Sequence, residues 1–166
     1  CDPLAVSIGA VNTITISPSG EVRGDNTDYA AAIDALCDKM GIAREDLAGR
    51  EVAVLGAGGA GRAIVAALTH YKARTTIYNR TVSRGETLAE EFGAAASGLD
   101  ALANMQAEIV INCTPIGMHP KVDASPLASI PDTVKVVFDT IYNPIRTKLL
   151  AAAEDAGCLT VTGLDM

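Results

Sequence analysis

The stretch Val52–Asn79 reads VAVLGAGGAGRAIVAALTHYKARTTIYN. A short apolar run, a glycine-rich turn, a stretch with helical spacing and a second apolar run follow one another, which is the order of a βαβ unit. Gly56, Gly58 and Gly61 have G-x-G-x-x-G spacing directly after the first strand and at the mouth of the helix. In that context the spacing signals a dinucleotide site. Gly56 permits the tight turn, Gly58 lets the backbone approach a pyrophosphate, and Gly61 lets helix and strand pack closely. The turn Gly56-Ala57-Gly58-Gly59-Ala60-Gly61 is therefore expected to wrap the pyrophosphate, with Gly59 adding further freedom. A βα turn that merely needs glycine would explain the spacing alone, but not the strand, helix and second strand in sequence.

The end of the second strand separates two kinds of dinucleotide. A carboxylate about 20 residues beyond the glycines accepts hydrogen bonds from the ribose hydroxyls of NAD, whereas arginine there suits a 2′-phosphate. Here TTIY ends in Asn79-Arg80-Thr81, with Arg84 one turn further on, and no Asp or Glu occupies the position. Two guanidiniums and two short polar groups converge where a phosphomonoester would sit, and arginine-phosphate contacts are among the stronger hydrogen bonds. The reading favours NADP over NAD. The plainer account, that Thr81 caps the next helix beside two solvated arginines, leaves the missing carboxylate unexplained.

Composition fits one α/β domain. The 166 residues are 49% hydrophobic and 20% charged, with no Trp and two Phe, so the core must be built from Ala, Val, Ile and Leu. A net charge of -7 argues against nucleic acid and anionic membrane surfaces as partners, since both demand a basic face. Cys1, Cys37, Cys113 and Cys158 are scattered and lack ligand spacing to His70 or His119. They read as small buried hydrophobes in a reducing compartment, with neither a zinc site nor a disulfide framework. No apolar run approaches the roughly 20 residues that span a bilayer, and no basic-then-apolar leader is present. The expected location is the cytoplasm, although the chain opens on Cys1 rather than Met, as a piece of a longer protein would.

Along the chain, residues 1–28 read as a hairpin or extended crossing: IGAVNTITI is β-rich, SPSG is a turn and EVRGDNTD returns. Helical spacing runs from Tyr29 to Met40 and stops at Gly41. Strands are then predicted at 52–55, 75–79, 94–96, 108–112, 134–139 and 158–161, with helices at 60–71, 81–92 and 145–156 and a helical turn at 99–104. Pro144 is expected to open the last helix. Such alternation, with strands buried on both faces, predicts a Rossmann-like, doubly wound and mostly parallel sheet with helices on both faces. Residues 1–28 are assigned to a preceding unit and 29–166 to the dinucleotide-binding domain. The cofactor should lie across the carboxyl ends of the strands, where the loops Cys113–Met118, Thr140–Pro144 and Thr162–Met166 fall. For Asn143-Pro144 alone, turn chemistry outweighs function.

Taken together, Ile8-Gly9-Ala10-Val11-Asn12-Thr13, Gly24-Asp25-Asn26-Thr27-Asp28, the glycine turn, Asn79-Arg80-Thr81, Asn112-Cys113-Thr114-Pro115-Ile116-Gly117-Met118, Tyr142-Asn143-Pro144 and Gly163-Leu164-Asp165-Met166 resemble the shikimate dehydrogenases in order and spacing. The resemblance covers essentially the whole chain. It implies a cytoplasmic, NADP-dependent oxidoreductase of aromatic amino-acid biosynthesis that interconverts 3-dehydroshikimate and shikimate, either alone or beside a dehydroquinate dehydratase. It further implies that Asn12 binds substrate, that Asp28 is the active-site aspartate and that Tyr142 lies near the substrate. Thr114, Gly117, Met118 and Gly163 join the cofactor residues. Without it, Asp28 reads as an ordinary helix N-cap and Asn12 as a turn amide.

The departures from that pattern also carry expectations. In the family a catalytic lysine and carboxylate-binding serines come from a preceding substrate domain, and Lys39, Lys72, Lys121, Lys135 and Lys148 all stand in other contexts. Met166 precedes the closing segment that supplies a glutamine. The chain is thus expected to be a fragment that folds and binds NADP but turns over substrate poorly. The alternatives are a quinate/shikimate dehydrogenase using NAD and a non-catalytic NADP-binding module.

Overall fold

The strand assignments give a six-stranded sheet in which every neighbouring pair is parallel. The computed structural model describes residues 1–166. Its strands are β3 (Glu51–Leu55), β4 (Arg74–Tyr78), β5 (Ala95–Ser97), β6 (Ile109–Asn112), β7 (Val136–Asp139) and β8 (Leu159–Val161), in the order β5-β4-β3-β6-β7-β8. Two further strands, β1 (Thr13–Ile16) and β2 (Val22–Asp25), form a separate antiparallel hairpin. The chain order reverses direction between β3 and β6, so the loops leaving these two strands part from one another and open a crevice at their carboxyl ends.

The strands are near-continuous apolar runs because both faces are covered: all residues of β6 and β7 are buried. On one face lie α2 (Asp28–Met40), α3 (Gly59–His70) and α4 (Val82–Phe92), which place Leu36, Ile64, Leu68 and Leu88 against Val54, Ile77, Ile111 and Phe138. The other face carries one helix, α5 (Lys148–Asp155), whose Leu149, Leu150 and Ala153 pack on Val110 and Val137 beside Met105 and Leu127. Between β6 and β7 the chain covers this face without a regular helix.

Three expectations differ from the structure. The N-terminal segment begins with a helix, α1 (Pro3–Ile8), which Asp2 caps by accepting the Leu4 amide at 2.9 Å and which Gly9 ends in the left-handed conformation. Six residues are too few for a helical period to show, although Asp followed by Pro is a start signal. Pro144 does not open the last helix. Thr147 does so, its hydroxyl accepting the Leu150 amide at 3.3 Å, and residues 143–147 form an irregular turn. Of the cysteines, Cys37 is buried, Cys113 and Cys158 are half-buried, and Cys1 is exposed; all four are free thiols. No helix is long and apolar enough to cross a membrane.

Phe138 is fully buried in β7, while Ile16 on the hairpin is 68% exposed. Phe138→Ala is expected to cost about 3–5 kcal/mol in urea unfolding, and Ile16→Ala to stay within about 0.5 kcal/mol.

Candidate functional site

The glycine turn sits where β3 hands over to α3. Gly56 has φ +102°, and a β-carbon there would press on Thr114 Cγ2 at 3.0 Å and the Cys113 carbonyl at 3.1 Å. Gly61 is buried in the first turn of α3, where a β-carbon would collide with the Gly56 carbonyl oxygen. Gly58 stands in extended conformation at the helix cap with open space where a β-carbon would be. Gly56 thus makes the turn and Gly61 the close helix-strand packing, while Gly58 has open space beside its backbone. The first bond within α3 runs from the Arg62 amide to the Gly58 carbonyl at 2.8 Å, so the amides of Gly59, Ala60 and Gly61 precede the helical ladder. They form the positive end of the helix dipole, suited to an anion.

Asn79 ties this turn to the end of β4. Its side-chain oxygen accepts the Ala57 amide at 3.2 Å and its Nδ2 donates to the Thr81 carbonyl at 2.8 Å. The amide is thereby spent on the protein's own backbone and fixes the distance between the glycine turn and residues 80–84. Thr81 holds the cap position of α4, yet its hydroxyl makes no capping bond. Arg80 and Arg84 are exposed. Six of the eight arginines (Arg23, Arg44, Arg50, Arg62, Arg74 and Arg146) pair with carboxylates, and the two that do not are Arg80 and Arg84.

Between these elements lies a cleft of about 270 Å³ whose walls include Gly56–Gly58, Asn79, Arg80, Leu99, Leu102 and Cys113–Ile116. Leu99, Leu102 and Pro126 contribute apolar lining, and Asn79, Arg80 and Thr114 contribute polar side chains. A wider hollow of about 660 Å³ opens at the opposite, amino ends of the strands. Its two arginines are taken by glutamates, Arg50 with Glu108 at 2.8 Å and Arg74 with Glu51 at 2.6 Å, which leaves no unpaired cation there for an anionic ligand. The cleft at the carboxyl ends is the candidate site.

The far wall of the cleft rests on a buried polar network. Asn112 and Asp139 end β6 and β7 side by side, and both are fully buried. Asn112 Nδ2 donates to Asp139 Oδ1 at 3.0 Å, while Asn112 Oδ1 accepts the Thr114 amide at 3.0 Å and the Thr114 hydroxyl at 2.7 Å. Asp139 also accepts the Ile141 amide at 3.2 Å and the Thr147 hydroxyl at 2.7 Å. Burial pushes the Asp139 carboxyl above the usual carboxylate range, against the opposing effect of these donors. Burial likewise raises the Cys113 thiol, helped by the charges of Asp139 and Asp28, so this cysteine is a neutral wall of the cleft rather than a nucleophile. The only signal that the sequence carries for this network is a lone Asp, Asp139, closing an apolar strand; nothing local marks Thr147 as its partner. Gly117 is buried with φ +100°, and Met118 is 42% exposed beside it. Gly163 lets the last loop lie against the Thr140 carbonyl at a β-carbon distance of 2.6 Å.

Asn12 and Asp28 meet directly: Asn12 Nδ2 donates to Asp28 Oδ1 at 2.5 Å and to the Thr27 hydroxyl at 3.0 Å. The Asn12 oxygen accepts the Thr27 amide at 3.0 Å. Asp28 does not cap α2, because the Asn26 side chain accepts the Tyr29 amide at 3.2 Å in its place. The aspartate is left half-exposed, with one carboxylate oxygen uncommitted and no lysine or arginine paired to it. Tyr142 is 68% exposed in the loop after β7. Its phenol makes no hydrogen bond within the chain.

A family model described as Shikimate / quinate 5-dehydrogenase matches residues 39–144. A shikimate dehydrogenase (NADP(+)) of Methanosarcina acetivorans is 42% identical over 99% of this chain and 61% of its own length. The chloroplastic bifunctional 3-dehydroquinate dehydratase/shikimate dehydrogenase of Arabidopsis thaliana is 39% identical over 99% of this chain and 30% of its own. Among solved structures, the shikimate 5-dehydrogenase of Thermus thermophilus in complex with NADP(H) and shikimate superposes with a TM-score of 0.83 at 37% identity, covering 99% of this chain and 60% of that one. The quinate dehydrogenase of Corynebacterium glutamicum in complex with NAD gives 0.78 at 30% identity, covering 97% and 59%. The chain spans 61% of the Methanosarcina relative's length.

The glycines separate stability from binding. Gly61→Ala is expected to cost about 1–3 kcal/mol by overpacking, read as a lower melting temperature. Gly58→Ala is expected to melt as the wild type does and to lose nucleotide affinity in titration.

Proposed function

The chain belongs to the shikimate / quinate 5-dehydrogenase family, and from that premise we propose that it is the dinucleotide-binding part of an NADP-dependent shikimate dehydrogenase. The observation that carries the cofactor choice is the pair of unpaired arginines, Arg80 just after β4 and Arg84 in the first turn of α4, where no carboxylate stands. In a chain of net charge -7, two unpaired guanidiniums four residues apart suit a dianionic phosphomonoester. The glycine turn fits a pyrophosphate on independent grounds, through open space at Gly58 and three amides ahead of the helical ladder. Gly56 to Gly61 would hold the pyrophosphate, Arg80, Thr81 and Arg84 the 2′-phosphate, and Thr114, Gly117, Met118 and Gly163 the nicotinamide half. When bound, the nicotinamide ring supplies the two-electron step of a carbonyl-alcohol interconversion.

The remaining work falls to Asn12 and Asp28. The Asn12 amide holds Asp28 Oδ1, which leaves Oδ2 to accept a hydroxyl of 3-dehydroshikimate or shikimate and orient the reacting carbon. No cation of this chain stands beside Asp28 to complete a proton-transferring pair, and the resemblance assigns that task to a lysine of the substrate domain. The proposed division is residues 1–28 with that domain and 29–166 with the cofactor. Exposed Ile14, Ile16 and Val22 on the hairpin, and Tyr142, Ile145 and Leu164 at the carboxyl-end loops, are the apolar surface such a domain would cover. Four free thiols suit a reducing compartment such as the cytoplasm, and the acidic surface disfavours nucleic acid as a partner.

Calorimetric titration with NADP and NAD tests the reading. Arg80→Ala is expected to weaken NADP by about 1.5–3 kcal/mol, the range for hydrogen bonds to charged groups, and to leave NAD unchanged. Equal losses for both nucleotides would remove the 2′-phosphate from Arg80. Equal wild-type affinities would favour a quinate/shikimate dehydrogenase that uses NAD.

A further inference from the structure

Asp139 is a fully buried carboxylate that reaches neither the cleft nor solvent, and it carries three hydrogen bonds to three different parts of the carboxyl-end surface. Through Asn112 it fixes the start of the loop after β6, since the other side of that amide holds both the backbone and the hydroxyl of Thr114. Through the Ile141 amide and the Thr147 hydroxyl it fixes the two ends of the loop after β7. A second contact closes the pair of loops on each other, from the His119 amide to the Asn143 carbonyl at 3.0 Å. Desolvating a carboxylate is costly, and an apolar residue at the end of β7 would continue the sheet without that cost. The stabilisation of the sheet alone therefore does not account for an aspartate here; the placement of the two loops does.

We propose that Asp139 is a positioning residue for the cofactor, acting through Asn112 and Thr147 to hold the two loops that receive its nicotinamide half. The inference rests on the dinucleotide reading of the cleft and adds a division of labour within it. The glycine turn and Arg80 bind the adenosine half independently of Asp139, whereas the redox half depends on the buried network. Because the network is polar and fully satisfied, it has one low-energy arrangement, and losing one member frees the others to seek new partners.

The test uses two probes on the same protein. NADP contacts both halves of the site, while 2′,5′-ADP carries only the adenosine phosphates. Asp139→Ala is expected to weaken NADP about tenfold, equivalent to about 1.4 kcal/mol, and to leave 2′,5′-ADP within about twofold. Asp139→Asn keeps an oxygen for the Asn112 and Ile141 donors and a group for the Thr147 hydroxyl, so it is expected to restore NADP to within about threefold of wild type. Should Asp139→Ala fail to fold, Thr147→Val removes one arm of the network and is expected to show the same split between probes. Parallel losses for NADP and 2′,5′-ADP, or no loss of NADP in any variant, would overturn the proposal. A wild-type protein that binds neither probe would instead overturn the dinucleotide reading beneath it.

Discussion

The first turn of α3 lies so close to the end of β3 that no side-chain atom fits between Gly61 and the Gly56 carbonyl, and the site is organised by that approach. It brings the amides of Gly59, Ala60 and Gly61 to the mouth of the crevice and seats the helix on the sheet through Ile64 and Leu68. The same approach sets the glycine turn within reach of Asn79, whose side chain fixes the spacing to Arg80. On the proposed reading, an anion at the helix end and one at the arginines would be held at a separation set by backbone packing rather than by flexible side chains. Such preorganisation reduces the ordering cost of binding.

The other half of the crevice depends on the opposite strategy. An apolar sheet ends in two polar residues, Asn112 and Asp139, that would be expensive to bury singly. Each answers the other, and their remaining groups are taken by Thr114, Ile141 and Thr147. No buried side-chain polar atom in the molecule lacks a partner. Six of the eight arginines are likewise satisfied by carboxylates, which makes the unpaired Arg80 and Arg84 informative: Arg80 lines the crevice, and Arg84 follows it in the first turn of α4.

The parallel sheet, its helices and the glycine turn were legible because strand and helix periods alternate cleanly between Glu51 and Val161 and because glycine spacing has a direct steric meaning. Helix and strand ends shifted by only a few residues, most at α5, where a proline looked like a helix start but Thr147 supplied the cap. The short α1 escaped because six residues cannot display a period. Asn12 and Asp28 could be paired only through the family resemblance: they lie sixteen residues apart in chain, and the local pattern around Asp28 is that of a helix cap. What overrides that pattern is Asn26, which takes the capping bond and frees the aspartate. Asp139 shows in the sequence only as a lone carboxylate closing an apolar strand, since its importance comes from Asn112 on β6 and Thr147 at the cap of α5, which the sequence separates from it by 27 and 8 positions.

The most direct measurement is a crystal structure of the protein grown with NADP. The account predicts the pyrophosphate on the amides of Gly59 to Gly61, the 2′-phosphate between the guanidiniums of Arg80 and Arg84, and the nicotinamide ribose against the loop that starts at Cys113. A dinucleotide lodged at the amino ends of the strands would contradict it, as would one in the crevice whose 2′-phosphate faces solvent away from both arginines.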